Sequence, residues 1–137
     1  MATTGNPFMR QPVSRPTAFL AGFAGATAVA FGAFGAHALR GKVDDTALAV
    51  WHTAVEYHFW HALALFAGIM GLPAGRARRV ALTLFGVGIV LFSGSLYALA
   101  LGAPRWTGAI TPLGGVAFMA GWVAAAMSLR NISAQRE

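Results

Sequence analysis

Four side chains able to bind metals, carry protons or hold polar ligands fall within ten residues: His52, Glu56, His58 and His61. His58 and His61 are three residues apart, so a helix places both on one face. His52 and Glu56 are four apart and share a different face. This spacing indicates a helix that presents two polar pairs in different directions.

Three interpretations of the histidines are open. An HxxH pair ligates a metal, or a haem when a second helix contributes, and His37 could complete the set with His58 and His61. Such a centre usually has three or four ligands with carboxylate support. Alternatively, the histidines form a small-ligand or proton-handling site, or they are structural and hydrogen-bond neighbouring helices. We expect the structural role and no cofactor, with a metal ion or haem as the alternative.

The composition indicates where such a helix would lie. The chain has 137 residues, of which 57% are hydrophobic and 10% charged, and its mean hydropathy is +0.62. Soluble domains are about 25% charged, so the surplus apolar surface is expected to face lipid. The absence of cysteine excludes disulfides and thiolate chemistry. The net charge of +6 is spread over the ends of apolar runs, as in membrane proteins, which argues against a nucleic-acid groove.

The runs predict an all-α integral membrane bundle of four transmembrane helices. The predicted helices are 17–37, 46–72, 80–101 and 108–129, between a disordered tail 1–16 and a polar tail 130–137. The second helix has an amphipathic lead-in capped by Asp44, and a break near Tyr57 is the alternative to one long helix. Cleavage of the first run as a signal peptide at Ala36-His37-Ala38 is disfavoured, because the run is too long.

Basic residues predict the orientation. Seven of the ten fall in the two tails and the loop that holds Arg76, Arg78 and Arg79, which places both termini in the cytoplasm and the protein in a bacterial inner membrane. The outer ends of the helices would then hold nearly all the unusual polar residues. This candidate polar cluster consists of His37, His52, Glu56, His58, His61, Tyr97 and Thr111.

Small residues at intervals of four predict close helix packing. The stripes are Gly22, Ala26 and Ala30 on the first helix and Gly86, Gly94, Ala98 and Gly102 on the third. Aromatic residues near helix ends are typical of an interfacial belt. The belt would include Trp51, Tyr57, Trp60 and Trp106 at the outer surface.

Several motifs resemble one small bacterial membrane family, known as domain of unknown function 423, whose eukaryotic relatives resemble transmembrane protein 256. The motifs are GAFGAH at 32–37, W-x-TAV-x-YH-x-x-HALAL at 51–65, FSGSLY at 92–97, ITPLGG at 110–115 and the pair Gly121-Trp122. The resemblance covers about 17–129 and implies a four-helix membrane protein. It implies no activity.

The sequence leaves three classes of function. The first is a structural or accessory component of the membrane that forms a homo-oligomer or joins a larger complex. The second is a small-ligand binder or transporter with a polar pocket in the outer half of the bundle. The third is a membrane redox, metal or haem protein. We favour the first and do not expect an enzyme, because no nucleophile, phosphate loop or complete ligand set is present in the sequence.

Overall fold

The computed structural model of the protein describes residues 13–133, with side chains described as far as Arg130. Every regular element in that range is helical. In chain order the elements are α1 (Arg15–Phe34), a π turn (Gly35–Leu39), α2 (Asp45–Gly71), α3 (Arg76–Gly88), a second π turn (Ile89–Ser93), α4 (Gly94–Ala100), a 3₁₀ turn (Arg105–Ala109) and α5 (Thr111–Ser133).

Side-chain caps fix where the first two helices begin. The Ser14 hydroxyl accepts the Thr17 N–H at 3.3 Å, and Pro16 fits the first turn, so α1 begins two residues before the predicted start. The Asp44 carboxylate accepts the Ala47 N–H at 2.7 Å, which confirms the predicted cap of α2. The first twelve residues of the predicted N-terminal tail lie outside the described residues.

α2 is one unbroken helix of 27 residues, so the structure favours the continuous alternative over a break near Tyr57. At 1.5 Å per residue it is about 40 Å long. It ends at Gly71, because Leu72 is extended and precedes Pro73, which disfavours helical geometry in the residue before it.

The third rod of the bundle consists of α3, the second π turn and α4, and runs from Arg76 to Ala100. It stops at a turn in which Gly102 has φ +90°, a conformation that favours glycine. α5 continues to Ser133, four residues beyond the predicted end of the fourth helix at residue 129. The end of the predicted polar tail, 134–137, is outside the described residues.

Three segments within residues 13–133 are long and apolar enough to cross a membrane: Arg15–Leu39, Arg76–Ala100 and Arg105–Arg130. α2 has the length but not the composition, because Glu56 and three histidines interrupt its apolar residues. The described chain is therefore an all-helical bundle with three strongly apolar spans and one long helix of mixed character.

The helices pack in the order α1, α2, the α3–α4 rod and α5, each against the next. Two core clusters follow from this arrangement. The larger unites the first half of α1 with the last part of α2 and with α3 and α5, around Leu65, Phe85 and Phe118. The smaller lies at the other end, around Leu39, Trp51 and Tyr97.

Trp51 corrects one prediction about the aromatic belt. It is 3% exposed, and its indole lies against Gly35 of the first π turn, where a Cβ would be 2.5 Å from the Trp51 Cδ1. Its Nε1–H donates to the Phe31 carbonyl at 2.8 Å. Trp51 therefore joins α1 to α2 inside the bundle, whereas Trp60 and Trp106 are exposed, at 54% and 69%.

The predicted small-residue stripes are wrong as packing surfaces within the chain. A Cβ placed on Gly22, Gly86 or Gly94 would meet nothing within 4 Å, and the same holds for Gly102. Ala26 and Ala30 are exposed, and Ala98 is only half-buried. The glycines of these stripes therefore make no close helix contact within the described residues.

The glycines that permit close approach lie elsewhere and face large aromatic rings. A Cβ on Gly88 would collide with the Phe118 ring, and one on Gly121 would lie 2.8 Å from the Phe85 ring. A Cβ on Gly114 would collide with the Phe92 backbone. The α3–α4 rod and α5 are thus joined by aromatic side chains set against glycines.

Candidate functional site

The two histidines of the HxxH motif are the most buried titratable side chains of α2. Both His58 and His61 are 5% exposed. Because they are about 60° apart around the helix, they point to different neighbours. His58 faces α1 and α4, and His61 faces α5.

His58 lies in a chain of hydrogen bonds that crosses three helices. Its Nδ1 is 3.2 Å from the Tyr97 hydroxyl and its Nε2 is 3.4 Å from the Thr27 hydroxyl oxygen. Thr27 donates its own proton to the Phe23 carbonyl at 2.8 Å. The Thr27 oxygen therefore accepts from His58 Nε2–H, and Tyr97 O–H donates to Nδ1, which leaves every polar atom of the chain satisfied.

His61 has the opposite tautomer. Its Nδ1 is 2.8 Å from the Tyr57 carbonyl, which only accepts, so Nδ1 carries the proton. The Trp122 Nε1–H, which only donates, points at His61 Nε2 at 3.3 Å, so Nε2 is the acceptor. The imidazole also stacks on the Phe118 ring, with 3.4 Å between ring centroids and 11° between planes.

The partners of both histidines are matched to neutral imidazole. Each ring has one N–H that donates and one nitrogen that accepts, and all four ring nitrogens have a protein partner. A metal ion or haem iron at either ring would have to displace one of these hydrogen bonds. Within residues 13–133, no three His, Asp or Glu side chains come close enough to hold a metal ion.

Aromatic rings enclose His58 at one end of the bundle. Phe31 lies edge-on to Tyr97 at 4.8 Å and to His58 at 6.2 Å between centroids. Trp51 contacts both rings, at 4.6 Å from Tyr97 and 5.8 Å from Phe31 between centroids. The Tyr97 hydroxyl is thus held in an apolar surrounding in which His58 is its hydrogen-bond partner.

The third polar contact of the interior joins α4 to α5. The Ser95 and Thr111 hydroxyls are 2.7 Å apart, and Ser95 donates to the Phe92 carbonyl at 2.9 Å. Thr111 therefore donates to Ser95. Ser93, two residues earlier in the second π turn, is different: it is 0% exposed, and its Oγ has no hydrogen-bond partner.

The structure divides the candidate polar cluster. His58 and Tyr97 are in direct contact, His61 lies one turn further along α2, and Thr111 bonds to Ser95 in a separate pair. His37, His52 and Glu56 are exposed and take no part in these contacts, so their inclusion in one cluster is wrong. The proposed completion of a ligand set by His37 fails for the same reason.

The opposite end of the bundle is held by Arg78, which sequence reasoning placed only in a loop. Arg78 is 7% exposed and donates to the Ile69 carbonyl at 3.0 Å. Ile69 is in the last turn of α2, where carbonyls lack helical partners and a cation is favourable. Nearby, the Ser128 hydroxyl of α5 is 3.5 Å from the Pro73 carbonyl, so the loop after α2 meets the end of α5.

Sequence reasoning also missed Thr27 and the role of Trp122. Thr27 is the single polar side chain inside the apolar residues 18–36, and that isolation was a usable signal, because a hydroxyl in a membrane helix needs a partner. Trp122 stands beside Gly121 in a motif of the resemblance. Its contact with His61, sixty-one residues away in sequence, depends on helix pairing that no local pattern contains.

These features show which class of protein the chain is. A bundle of apolar helices with lipid-compatible outer surfaces, whose interior polar groups are hydrogen-bonded to each other, is an integral membrane protein. The family model described as "Protein of unknown function (DUF423)" matches residues 31–115, more than half of the chain. The chain belongs to this family, as the motifs predicted.

The names of related proteins agree with the class. The chain is 50% identical over 101 residues to the UPF0382 membrane protein YwdK of Bacillus subtilis, covering 70% of this chain and 80% of the relative. It is 40% identical over 115 residues to the UPF0382 inner membrane protein YgdD of Escherichia coli, covering 80% and 85%. No solved structure matches the chain.

Proposed function

We propose that the protein crosses a bacterial inner membrane four times, with both termini in the cytoplasm, and serves there as a structural or accessory component. The Escherichia coli relative is named as an inner membrane protein, which supports the location. α2 would be the fourth span. Its length of about 40 Å exceeds the roughly 30 Å of hydrocarbon.

Contacts between helices support the four-span arrangement. The Ser128–Pro73 contact brings the end of α5 to the loop after α2, which begins the arginine-rich segment. At the other end, the Trp51–Phe31 and Ser95–Thr111 bonds join the end of α1 to the start of α2 and α4 to the start of α5. Consecutive helices are therefore antiparallel, and the ends with most basic residues come together, as expected for a cytoplasmic face.

The observation that carries the structural role is the pairing of all four ring nitrogens of His58 and His61 with protein groups. A catalytic, metal-binding or transport histidine needs a nitrogen that can reach a ligand. Here each ring joins α2 to another helix. We infer that the two histidines specify how α2 is rotated in the bundle and that the protein has no resident metal or haem.

The topology is tested by reporter fusions at Gly75 and at Gly102. A cytoplasmic reporter should be active at Gly75 and a periplasmic reporter at Gly102. Equal signals from both sites would refute the span of α3 and α4 between them, and a periplasmic Gly75 would refute the orientation.

The structural role is tested on protein purified in mild detergent from native membranes. We expect no haem absorption bands and no metal at one equivalent per chain. We also expect the same partner protein to co-purify with the wild-type protein and with a His61→Asn variant that retains its fold. A stoichiometric metal or haem lost in the His58 and His61 variants would overturn the role and favour the redox alternative. Tight binding of a small solute would favour the transporter alternative.

A further inference from the structure

One face of α2 is exposed along its whole length and changes character halfway. Its inner half carries Phe59, Trp60 and Leu63, which are 40–54% exposed and suit lipid. Its outer half carries His52 and Glu56, both exposed. These two polar residues lie on the side of α2 opposite to His58 and His61, about 170° around the helix from that pair.

Contacts at the centre of the bundle give the depth of Glu56. His61 stacks on Phe118, which lies in the middle of the charge-free run 108–129 and meets Gly88, in the middle of the third rod. His61 is therefore near the bilayer midplane, a placement that rests on the four-span arrangement proposed above. Glu56 is five residues, about 7.5 Å, nearer the outer surface, inside the roughly 15 Å of one hydrocarbon leaflet.

An ionised carboxylate at that depth is costly against lipid, and such residues usually pair with another polar group. Charge complementarity indicates that a histidine is the group that pairs with the Glu56 carboxylate. His52 lies four residues, about 6 Å, above Glu56 on the same exposed face. A face that carries both a donor and an acceptor is complementary to a second copy of itself when the copies are related by a two-fold axis along the membrane normal.

We propose that the outer half of this α2 face is the contact surface between two copies of the chain, with His52 of each copy donating to Glu56 of the other. The small residue Ala49 lies on the same exposed face and Thr53 borders it, so two α2 helices can approach closely there. The Thr53 hydroxyl already bonds to the Ala49 carbonyl at 3.1 Å and needs no partner across the contact.

The chain has no cysteine, so single cysteines report contacts without background. Thr53→Cys lies between His52 and Glu56 in height, at the edge of the proposed contact, about 60° around the helix from Glu56. Leu113→Cys is the matched control, because Leu113 is 62% exposed on α5 and lies in the same outer half of the bundle. Copper-catalysed oxidation in native membranes should convert most Thr53→Cys protein to a product of twice 14.3 kDa and little of the control.

Charge variants test the pairing. In the Thr53→Cys background, Glu56→Ala should lower the cross-linked fraction at least three-fold, and the exchange His52→Glu with Glu56→His should restore it. Glu56 is exposed, so the thermal stability of the bundle should change little. Equal cross-linking of Thr53→Cys and Leu113→Cys, or a product whose mass shows another protein, would overturn the dimer.

Cross-linking that is unaffected by Glu56→Ala would overturn the proposed His52–Glu56 pairing. The fusions at Gly75 and Gly102 separate this proposal from the one on which it rests. If the fusions give the expected signals but Thr53→Cys forms no dimer, only the dimer proposal is refuted. Fusion signals that contradict the topology refute the membrane placement itself.

Discussion

α2 carries two polar pairs of similar composition within ten residues, but one pair is buried in the bundle and the other is exposed. His58 and His61 turn inward, are 5% exposed, and have partners on three other helices. His52 and Glu56 turn outward, away from the other helices of the chain. The difference comes from the rotation of one helix, and it shows that residue type alone does not determine which titratable groups belong to an internal site.

The same contrast separates the glycines. Inward glycines such as Gly88, Gly114 and Gly121 are contacted by phenylalanine, whereas Gly22 and Gly94 face open space on the outside. Inward positions are therefore constrained by shape and hydrogen bonding together, and outward positions by lipid or by a partner. Matched substitutions at inward-facing and outward-facing positions test this distinction.

The largest effect is expected from Gly114→Ala. A Cβ there collides with the Phe92 backbone, which cannot move without separating α5 from the third rod, so the loss should be about 3 kcal/mol. Gly94→Ala is the control, because its Cβ meets nothing within 4 Å and alanine favours a helix. Unfolding by denaturing detergent in mixed micelles measures both. Equal losses would mean that the glycine–phenylalanine contacts do not hold the bundle together.

The next effect separates the two faces of α2. His61→Ala removes the stack on Phe118, leaves a cavity and deprives the Trp122 N–H of its acceptor, which should cost about 2–3 kcal/mol. Met70→Ala removes a side chain of similar size that is 57% exposed, and should cost about 0.5 kcal/mol or less. The same unfolding assay applies. A loss at Met70 as large as that at His61 would show that the outward face of α2 is also packed.

These contrasts show how far the sequence can predict the molecule. The apolar runs locate the helices, and Asp44 locates a helix start, because both are local features. The inward turn of His58 and His61 follows from the cost of a polar group in hydrocarbon. That cost applies equally to His52 and Glu56, so it could not determine which pair turns inward.

The glycines that contact neighbouring helices show a second limit of prediction from sequence. The helices are rich in alanine and glycine, with 17 glycines in the chain, so small residues at intervals of four occur on several faces of each helix. The face that packs is selected by Phe85, Phe92 and Phe118 on the neighbouring helices. The sequence alone places Trp51 in the interfacial belt for the same reason, since its partner Gly35 belongs to another helix.

A smaller effect is expected from Tyr97→Phe. The change keeps the ring against Phe31 and Trp51 but removes the proton donated to His58 Nδ1. Hydrogen bonds between membrane helices contribute about 0.6 kcal/mol on average and up to about 1.7, so a loss of about 1 kcal/mol is expected. Long-range proton–nitrogen spectra of ¹⁵N-histidine protein should show His58 losing its fixed Nε2–H form while His61 stays in the Nδ1–H form. An unchanged His58 signal would contradict the assigned direction of the bond.

The smallest effect is expected from Ser93→Ala, and its sign is informative. Ser93 Oγ is fully buried without a hydrogen-bond partner, so its removal relieves a desolvation cost and should leave stability unchanged or raise it by up to about 1 kcal/mol. Ser95→Ala, two residues away, is the matched control. It breaks the 2.7 Å bond to Thr111 and should lower stability by about 1 kcal/mol. A loss at Ser93 equal to that at Ser95 would show that the Ser93 hydroxyl has a partner in the membrane, and the second π turn would then be a further polar contact of the bundle interior.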